Sequence, residues 1–224
     1  MPRSGHHFLE TMLDRYFGRE YQYCEFYQPR GCCHCIPCVR RYDPNRGNRY
    51  FMQKSHDFPL KDDPGLNGLY LIQFRSLIPR LQSDFEMVVR EGVPNRRDMF
   101  EQFCVGRTDY FVRFYEKWIK TPAPNRLVIS YESLTEDTFS SLARAVRFVS
   151  GDDHVDAAWI AEIVATSRSK VGATSVGPAI RDPRIHRFYD EDFFRKLETV
   201  VLDRCGAVSM RFHFITPSKS QPSP

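Results

Sequence analysis

Three short apolar runs of strand length, separated by stretches with helical periodicity, constrain the fold of this chain more than any other feature. The runs cover residues 50–53, 69–74 and 126–131. Helical spacing of apolar residues lies between and around them, over 7–18, 83–92, 98–120, 135–150, 155–166 and 190–205. Strands that alternate with helices form parallel sheets with helices on both faces. The sequence therefore predicts an α/β fold, a three-layer α/β/α arrangement around a mostly parallel sheet.

Length and composition restrict the chain to one ordinary domain. It has 224 residues, of which 42% are hydrophobic, enough for a substantial core. The domain is predicted to cover 1–216, followed by a polar, proline-rich tail over 217–224 that is predicted to be disordered. Within the domain, the stretch 19–49 has no clear period and is interpreted as an insertion rich in Cys and Arg.

The charge balance and the lack of long apolar runs exclude several classes of partner. The 32 basic and 28 acidic residues leave a net charge of +4, which does not indicate nucleic-acid binding but suits a local basic pocket. The chain has no run of about 18 apolar residues, the length that spans a membrane, and its start lacks the apolar core of a signal peptide. The sequence therefore predicts a cytoplasmic protein without a membrane span.

The amino terminus begins with a turn of small residues that carries a cation and continues into an amphipathic helix. Gly5 permits a tight turn, and backbone N–H groups at the start of the helix favour an anion. Arg3 and the side chains of Ser4, His6 and His7 add further donors. The turn is interpreted as a cradle for a phosphate or sulfate group, and the alternative is a basic turn that only begins a helix.

Two further segments follow predicted strands and carry residues suited to an anionic substrate. Lys54 and His56 come after the run 50–53, and a histidine with an ordinary pKa suits a general base. Arg75 ends the next apolar run, and Ser83 follows it in a Ser-x-x-Glu pattern that also predicts a helix cap. The carboxyl ends of parallel strands share one edge of a sheet, so we expect these residues to meet there.

In this order, the three segments resemble those of sulfotransferases that use 3′-phosphoadenosine 5′-phosphosulfate (PAPS). That family has a loop of Pro, a basic residue, a hydroxyl residue and Gly, then a Lys-x-His segment, then a strand ending in Arg with a Ser eight residues later. Here the loop begins at Pro2, the second segment at Lys54, and Ser83 lies eight residues after Arg75. The resemblance covers roughly residues 1–135. It implies a P-loop-like fold, PAPS as the cofactor, and sulfuryl transfer to a hydroxyl or amine of an acceptor.

The resemblance also implies roles for the loop residues. Arg3 would stabilise the departing bridging oxygen. The residues that would hold the 5′-phosphosulfate through backbone and side-chain donors are Arg3, Ser4, Gly5, His6, His7 and Phe8. The chain departs from the usual pattern at His6 and His7, where the family has two hydroxyl residues, although a neutral imidazole can still donate one hydrogen bond.

The other segments and a late basic loop would supply the remaining contacts. By the same resemblance, Lys54 would bind a sulfuryl oxygen and His56 would be the general base. Asp57 and Glu10 are the alternatives for the base, because other branches of the superfamily use a carboxylate. The rest of the cofactor would be held by Arg75 and Ser83 at the 3′-phosphate, by Tyr131 near the adenine, and by Arg168 and Lys170.

The insertion contains a cluster of cysteines that could bind a structural zinc ion. The candidate ligands are Cys32, Cys35 and Cys38, with Cys33 as the alternative to Cys32, completed by Cys24 or His34. A local disulfide and reduced thiols are the other two interpretations of the same cluster. Sulfuryl transfer itself requires no metal.

Two other functions fit parts of the same pattern. A P-loop nucleotide kinase would share the fold but needs a Gly-Lys-Ser/Thr loop, which the sequence lacks. A degenerate sulfotransferase fold could instead bind a partner through the Cys/Arg segment without catalysis. If the chain is an enzyme, its acceptor is expected to be a carbohydrate or another polar metabolite.

The start of the chain carries one further expectation. A phosphosulfate loop normally follows a buried strand, yet only Met1 precedes Pro2. We expect either that the natural chain begins upstream or that the sheet forms without this strand, and the first interpretation is favoured.

Overall fold

The computed structural model of the protein describes residues 1–25, 35, 38, 49–62, 68–168 and 182–206. Within them lie four strands: β1 (Tyr21–Cys24), β2 (Tyr50–Gln53), β3 (Tyr70–Phe74) and β4 (Arg126–Ser130). The same residues form seven α-helices: α1 (His6–Phe17), α2 (Leu77–Arg90), α3 (Arg97–Trp118), α4 (Tyr131–Glu136), α5 (Thr138–Ser150), α6 (Ala157–Arg168) and α7 (Glu191–Cys205). The predicted disordered tail, 217–224, lies outside the described residues.

The four strands pair in parallel, in two sheets of two strands each. Tyr21 of β1 lies opposite Tyr50 of β2, and Tyr70 of β3 lies opposite Arg126 of β4. The predicted α/β class with parallel strands is therefore confirmed. In the described parts of the chain, no strand pairing joins the two sheets. A single sheet at the centre of a three-layer fold stays a prediction.

Hydrophobic cores cover both faces of the β3–β4 sheet. On one face, Ile72 and Phe74 pack with buried residues of α2, α3 and α7. On the other face, Leu71 and Ile129 pack with buried residues of α1, α5 and α6. Successive side chains of a strand point to opposite faces, so β3 contributes to both cores. Buried residues of helices therefore pack with both faces of this sheet.

The prediction that Ser83 opens a helix is wrong, because α2 begins at Leu77. Leu77, Leu81 and Phe85 are buried at helical spacing, so the apolar face of the helix starts earlier than the capping pattern indicates. Pro79 is tolerated because N–H groups in a first turn have no helical acceptor. The N–H of Ser83 therefore belongs to the helix, and its hydroxyl is the group left for other contacts.

The stretch 19–49, which has no clear period in the sequence, contains the strand Tyr21–Cys24. This short segment has no strict alternation of apolar and polar residues in the sequence. It becomes a strand by pairing in parallel with β2, whose first residue is Tyr50. The pairing brings the residue that follows β1 next to the segment that follows β2.

The helices agree with the sequence at the end of the chain. The Asp190 carboxylate accepts a hydrogen bond from the N–H of Phe193 at 2.9 Å, which caps α7. Gly206 follows the helix with a φ of 81°. The end of this helix at residue 205, as the sequence predicts, is confirmed. Separately, none of the described helices combines the length and the apolar character needed to cross a membrane.

Candidate anion-binding site

The amino-terminal turn lies against β3 and α2, where the strand ends and the helix begins. The amino group of Met1 donates to the carbonyl oxygen of Gln73 at 3.2 Å. The Gln73 side chain donates to the carbonyl oxygen of Ser4 at 3.4 Å. Arg3 Nε donates to Ser83 Oγ at 3.0 Å, across 80 residues of sequence. The first and third predicted segments are therefore in direct contact.

The turn itself has a constrained backbone. Arg3 and Gly5 both have positive φ values, 58° and 81°. Ser4 is fully buried, and its hydroxyl donates to the carbonyl oxygen of Pro2 at 3.3 Å. Among the described residues no side chain caps α1, so N–H groups of its first turn have no side-chain acceptor. The start of α1 thus offers backbone donors to an anion, while Ser4 maintains the shape of the turn.

Arg75 is a buried cation that stacks on an aromatic ring. The residue is 6% exposed, and its guanidinium lies 4.4 Å from the centre of the Tyr131 ring. Its Nε is buried and has no hydrogen-bond partner within the described residues. Burial lowers the pKa of Arg75, and the nearby negative charge of Glu132 offsets this only in part. A guanidinium in these surroundings is stabilised by any anion that reaches it.

The first turn of α4 supports Arg75 from the side of β4. Tyr131 lies so close to the loop that a Cβ built on Gly5 would be 2.7 Å from Cδ2 of the ring. The neighbouring Glu132 accepts a hydrogen bond from the N–H of Ser76 at 3.0 Å. The residues after β4 therefore connect the loop to the end of β3, where Arg75 lies.

Lys54 and His56 meet the loop from the side of β1. Lys54 forms an ion pair with Glu25, which also accepts a hydrogen bond from the Tyr23 hydroxyl at 2.8 Å. The His56 imidazole lies edge-on to that of His6, with 5.8 Å between the ring centres. All three predicted segments thus converge, the second contacting the loop through its histidine.

Burial keeps the imidazoles of this site neutral. Burial and then nearby positive charges, among them Lys54, lower the pKa of His56 to about 2 and that of His6 to about 3. The pKa of His7 is lowered by the same causes. A neutral imidazole carries a lone pair that can accept a proton. An anion bound beside these rings would raise their pKa values, since it stabilises the charged form.

The Asp57 carboxylate is occupied by donors from α3. Asp57 is 3% exposed, and its Oδ2 accepts hydrogen bonds from Lys117 Nζ at 2.6 Å and Trp118 Nε1 at 2.8 Å. The Tyr110 hydroxyl, also on α3, donates to the carbonyl oxygen of His56. These contacts give Asp57 the role of an anchor that holds the second segment on α3.

The remaining predicted site residues are Glu10, Phe8, Arg168 and Lys170. Glu10, the other alternative base, lies on α1, where burial and then Asp14 raise its pKa. Phe8 belongs to α1 and packs, partly buried, against the core that contains Leu9 and Met12. The side chain of Arg168, at the end of α6, and the whole of Lys170 lie outside the described part of the chain. Their predicted contacts with the cofactor stay predictions.

Cys35 and Cys38 both contact the last residue of β2. The Gln53 side chain accepts a hydrogen bond from the N–H of Cys38 at 2.7 Å and donates to the carbonyl oxygen of Cys35 at 2.6 Å. Since Gln53 directly precedes Lys54, these two cysteines lie beside the candidate site. Cys32, the third predicted zinc ligand, falls outside the described residues, so the zinc and disulfide interpretations stay predictions.

Glu25 is the residue of this site that sequence reasoning missed. It directly follows β1, as Lys54 directly follows β2, and the two strands are parallel and in register. The signal that could have found it is the strand Tyr21–Cys24. Recognising that strand would have brought a carboxylate to the same sheet edge as Lys54.

A surface cleft of about 280 Å³ lies elsewhere, lined in part by Tyr16, Tyr50 and His154. Tyr50 begins β2, whereas the candidate site lies beyond its other end. None of the predicted site residues lines this cleft. The cleft is therefore separate from the candidate site.

Comparison with known proteins adds no relative, since no family model, no curated protein and no solved structure matches the chain. The described residues define an α/β protein whose loop, strand ends and helix start bring several cations together. Its function has to be inferred from that chemistry.

Proposed function

We propose that the protein binds PAPS and transfers its sulfuryl group to a hydroxyl or amine of an acceptor, with a carbohydrate or another polar metabolite as the expected class. The two parallel sheets would belong to a three-layer, P-loop-like fold. The observation that carries the proposal is Arg75, a buried cation whose Nε has no hydrogen-bond partner within the described residues. Such a group costs free energy unless an anion meets it.

The two anionic ends of the cofactor would have separate partners. The 3′-phosphate would meet Arg75 and the Ser83 hydroxyl, because a guanidinium presents planar donors that suit a phosphate. The 5′-phosphosulfate would meet Arg3 and the N–H groups at the start of α1. Arg3 donates to Ser83 in the resting protein, so the two sites adjoin. Tyr131, which already stacks on Arg75, would border the adenine.

In the transfer step, an acceptor oxygen forms a bond to sulfur while the bond from sulfur to the bridging oxygen breaks. The acceptor proton passes to His56, and the bridging oxygen leaves within adenosine 3′,5′-bisphosphate, stabilised by Arg3. The charge of bound PAPS raises the pKa of His56 from its resting value of about 2, so cofactor binding itself strengthens the base. Lys54 would break its ion pair with Glu25 and bind a sulfuryl oxygen instead.

Binding of the nucleotide without turnover is the second candidate function. Two observations favour it: Lys54 is ion-paired with Glu25, and burial lowers the pKa of His56 far below that of a useful base. Both groups would have to change partners or charge before sulfuryl transfer. The two candidates share the anion site and differ in whether PAPS is consumed.

Titration with adenosine 3′,5′-bisphosphate, followed by calorimetry, tests the shared anion site. We expect Arg75→Ala to weaken binding by about 10- to 100-fold, the value of a charge-assisted hydrogen bond to phosphate. Arg126→Ala is the matched control, because Arg126 also stacks on an aromatic ring, that of Trp118 at 5.5 Å, but lies at the start of β4. This control removes the same charge and should leave the affinity nearly unchanged.

Adenosine 5′-monophosphate separates the two phosphate sites. If Arg75 meets the 3′-phosphate, Arg75→Ala should weaken binding of the bisphosphate and leave binding of the monophosphate unchanged. Absence of binding by the folded wild-type protein would overturn the proposal. Binding together with release of the bisphosphate from PAPS, in the presence of phenol, sugar and amine acceptors, would support the enzyme. Binding with no release across that set would favour the non-catalytic candidate.

A further inference from the structure

A cluster of two imidazoles and a carboxylate lies where the start of α1 meets the residue after β1, and its three side chains have no part in the cofactor contacts proposed above. Ligand atoms of His6, His7 and Glu25 all lie within 4.8 Å of one another. His6 Nε2 is 3.9 Å from Glu25 Oε2, and the two imidazole centres are 3.8 Å apart. Histidine nitrogen and carboxylate oxygen are common ligands of zinc and its neighbours among the transition metals.

The Nε2 atom of His6 is also placed to bind a ligand. Its Nε2 is buried and has no hydrogen-bond partner within the described residues. In a neutral imidazole such a nitrogen can carry a lone pair. A metal ion binds the neutral form of imidazole through such a lone pair, and a buried polar atom without a partner is otherwise unfavourable.

We propose that His6, His7 and Glu25 form a binding site for a divalent transition-metal ion such as Zn²⁺, with two nitrogen ligands and one oxygen ligand. Ligand atoms about 2.1 Å from a tetrahedral zinc ion are about 3.4 Å apart, so the present separations need only small side-chain rotations. His7 is exposed and can supply much of that movement. Three protein ligands would leave one coordination position open. The site does not depend on the proposed sulfuryl transfer.

Neighbouring residues determine how tightly such an ion would bind. Tyr23 donates to Glu25 Oε2 at 2.8 Å and would orient the carboxylate, as outer-shell donors of metal sites do. Lys54 forms an ion pair with the other oxygen of Glu25 and brings a positive charge close to the site. That charge repels a cation. Glu25 and Lys54 should therefore have opposite effects on the affinity for metal, although they are partners in one ion pair.

The test is calorimetric titration of the full chain, stripped of metal, with Zn²⁺ and then with Co²⁺. We expect Glu25→Gln and His7→Ala each to weaken binding by about tenfold or more, the effect of losing part of a coordination shell. Lys54→Met should tighten it. His154→Ala, which removes an exposed histidine away from the site, should change nothing. Urea unfolding of each variant would verify that it is folded.

The cysteine cluster could also bind zinc, so all variants are repeated in a Cys35→Ser/Cys38→Ser background. The site proposed here should remain there, and its Co²⁺ complex should lack the intense charge-transfer band of thiolate ligands. Loss of all metal binding in this background would overturn the proposal. So would unchanged affinity in both Glu25→Gln and His7→Ala.

Discussion

Replacing Gly5 with alanine tests how the loop and the first turn of α4 are held together. Gly5 has a φ of 81°, where an L residue costs about 1–2 kcal/mol. The new Cβ would lie 2.7 Å from Cδ2 of Tyr131, so the ring has to move. Overfilling a packed region costs about 1–3 kcal/mol. We therefore expect Gly5→Ala to lower the free energy of unfolding by about 2–5 kcal/mol and to disturb the stacking on Arg75.

Gly151→Ala is the matched control for the backbone cost. Gly151 has φ 70° and ψ 12°, close to the φ 81° and ψ 19° of Gly5. No described atom lies within 4 Å of a Cβ built on Gly151. The control should therefore lose only about 1–2 kcal/mol. Equilibrium urea unfolding, followed by circular dichroism, should give Gly5→Ala a further loss of about 1–3 kcal/mol.

A double-mutant cycle identifies the source of that difference. In a Tyr131→Ala background the ring is absent, so Gly5→Ala should cost no more than Gly151→Ala does. Equal losses for the two glycine variants in the wild-type background would refute the reasoning, because the contact between Gly5 and Tyr131 would then contribute nothing.

Two further predictions concern charged groups. The pKa of His56 in the folded protein is about 2, below its ordinary value of 6.5. The neutral, buried imidazole therefore makes its full contribution to the free energy of unfolding above about pH 6.5, and this contribution is lost as the pH falls. His56→Gln should reduce the loss measured by urea unfolding between about pH 7 and about pH 5, and an unchanged loss would contradict this. Asp57→Asn should lower the free energy of unfolding by about 3 kcal/mol because Lys117 loses its carboxylate partner. The control Asp98→Asn breaks an exposed ion pair and should lower the free energy of unfolding much less, so equal losses would contradict the burial argument.

The fold could be predicted wherever a segment carries its own periodicity. The runs that became β2, β3 and β4 are apolar enough to be recognised alone, and α3 and α7 follow from helical spacing and caps. Strand β1 could not be found in this way, because its strand character depends on pairing with β2, which begins at Tyr50. The start of α2 was misjudged at Ser83 since a local capping pattern competes with the buried face that begins at Leu77.

The candidate site, too, could be predicted only in part from the sequence. Arg75 could be selected because it ends an apolar run, and Arg3 and Ser83 because of their places in the pattern that resembles sulfotransferases. Parallel topology predicts that residues after the strands meet at one edge. The partner of Asp57 could not be selected, because it depends on Lys117 lying 60 residues later on α3. Contacts of this kind are set by how helices pack on the sheet, and no local pattern encodes them.

The charges around the loop connect the two proposals. Arg3, Arg75 and Lys54 surround it, and among the described residues only Lys54 is ion-paired with a carboxylate, that of Glu25. A bound bisphosphate would reduce this positive potential, which otherwise lowers the affinity of the cluster for a cation. A metal ion at His6 would in turn attract the anion, and the two coupling factors must be equal because linkage is reciprocal. A loop that served an anion alone would have no need of a carboxylate beside neutral histidines. A loop that served a metal alone would not require Arg75, a buried cation whose Nε has no hydrogen-bond partner within the described residues.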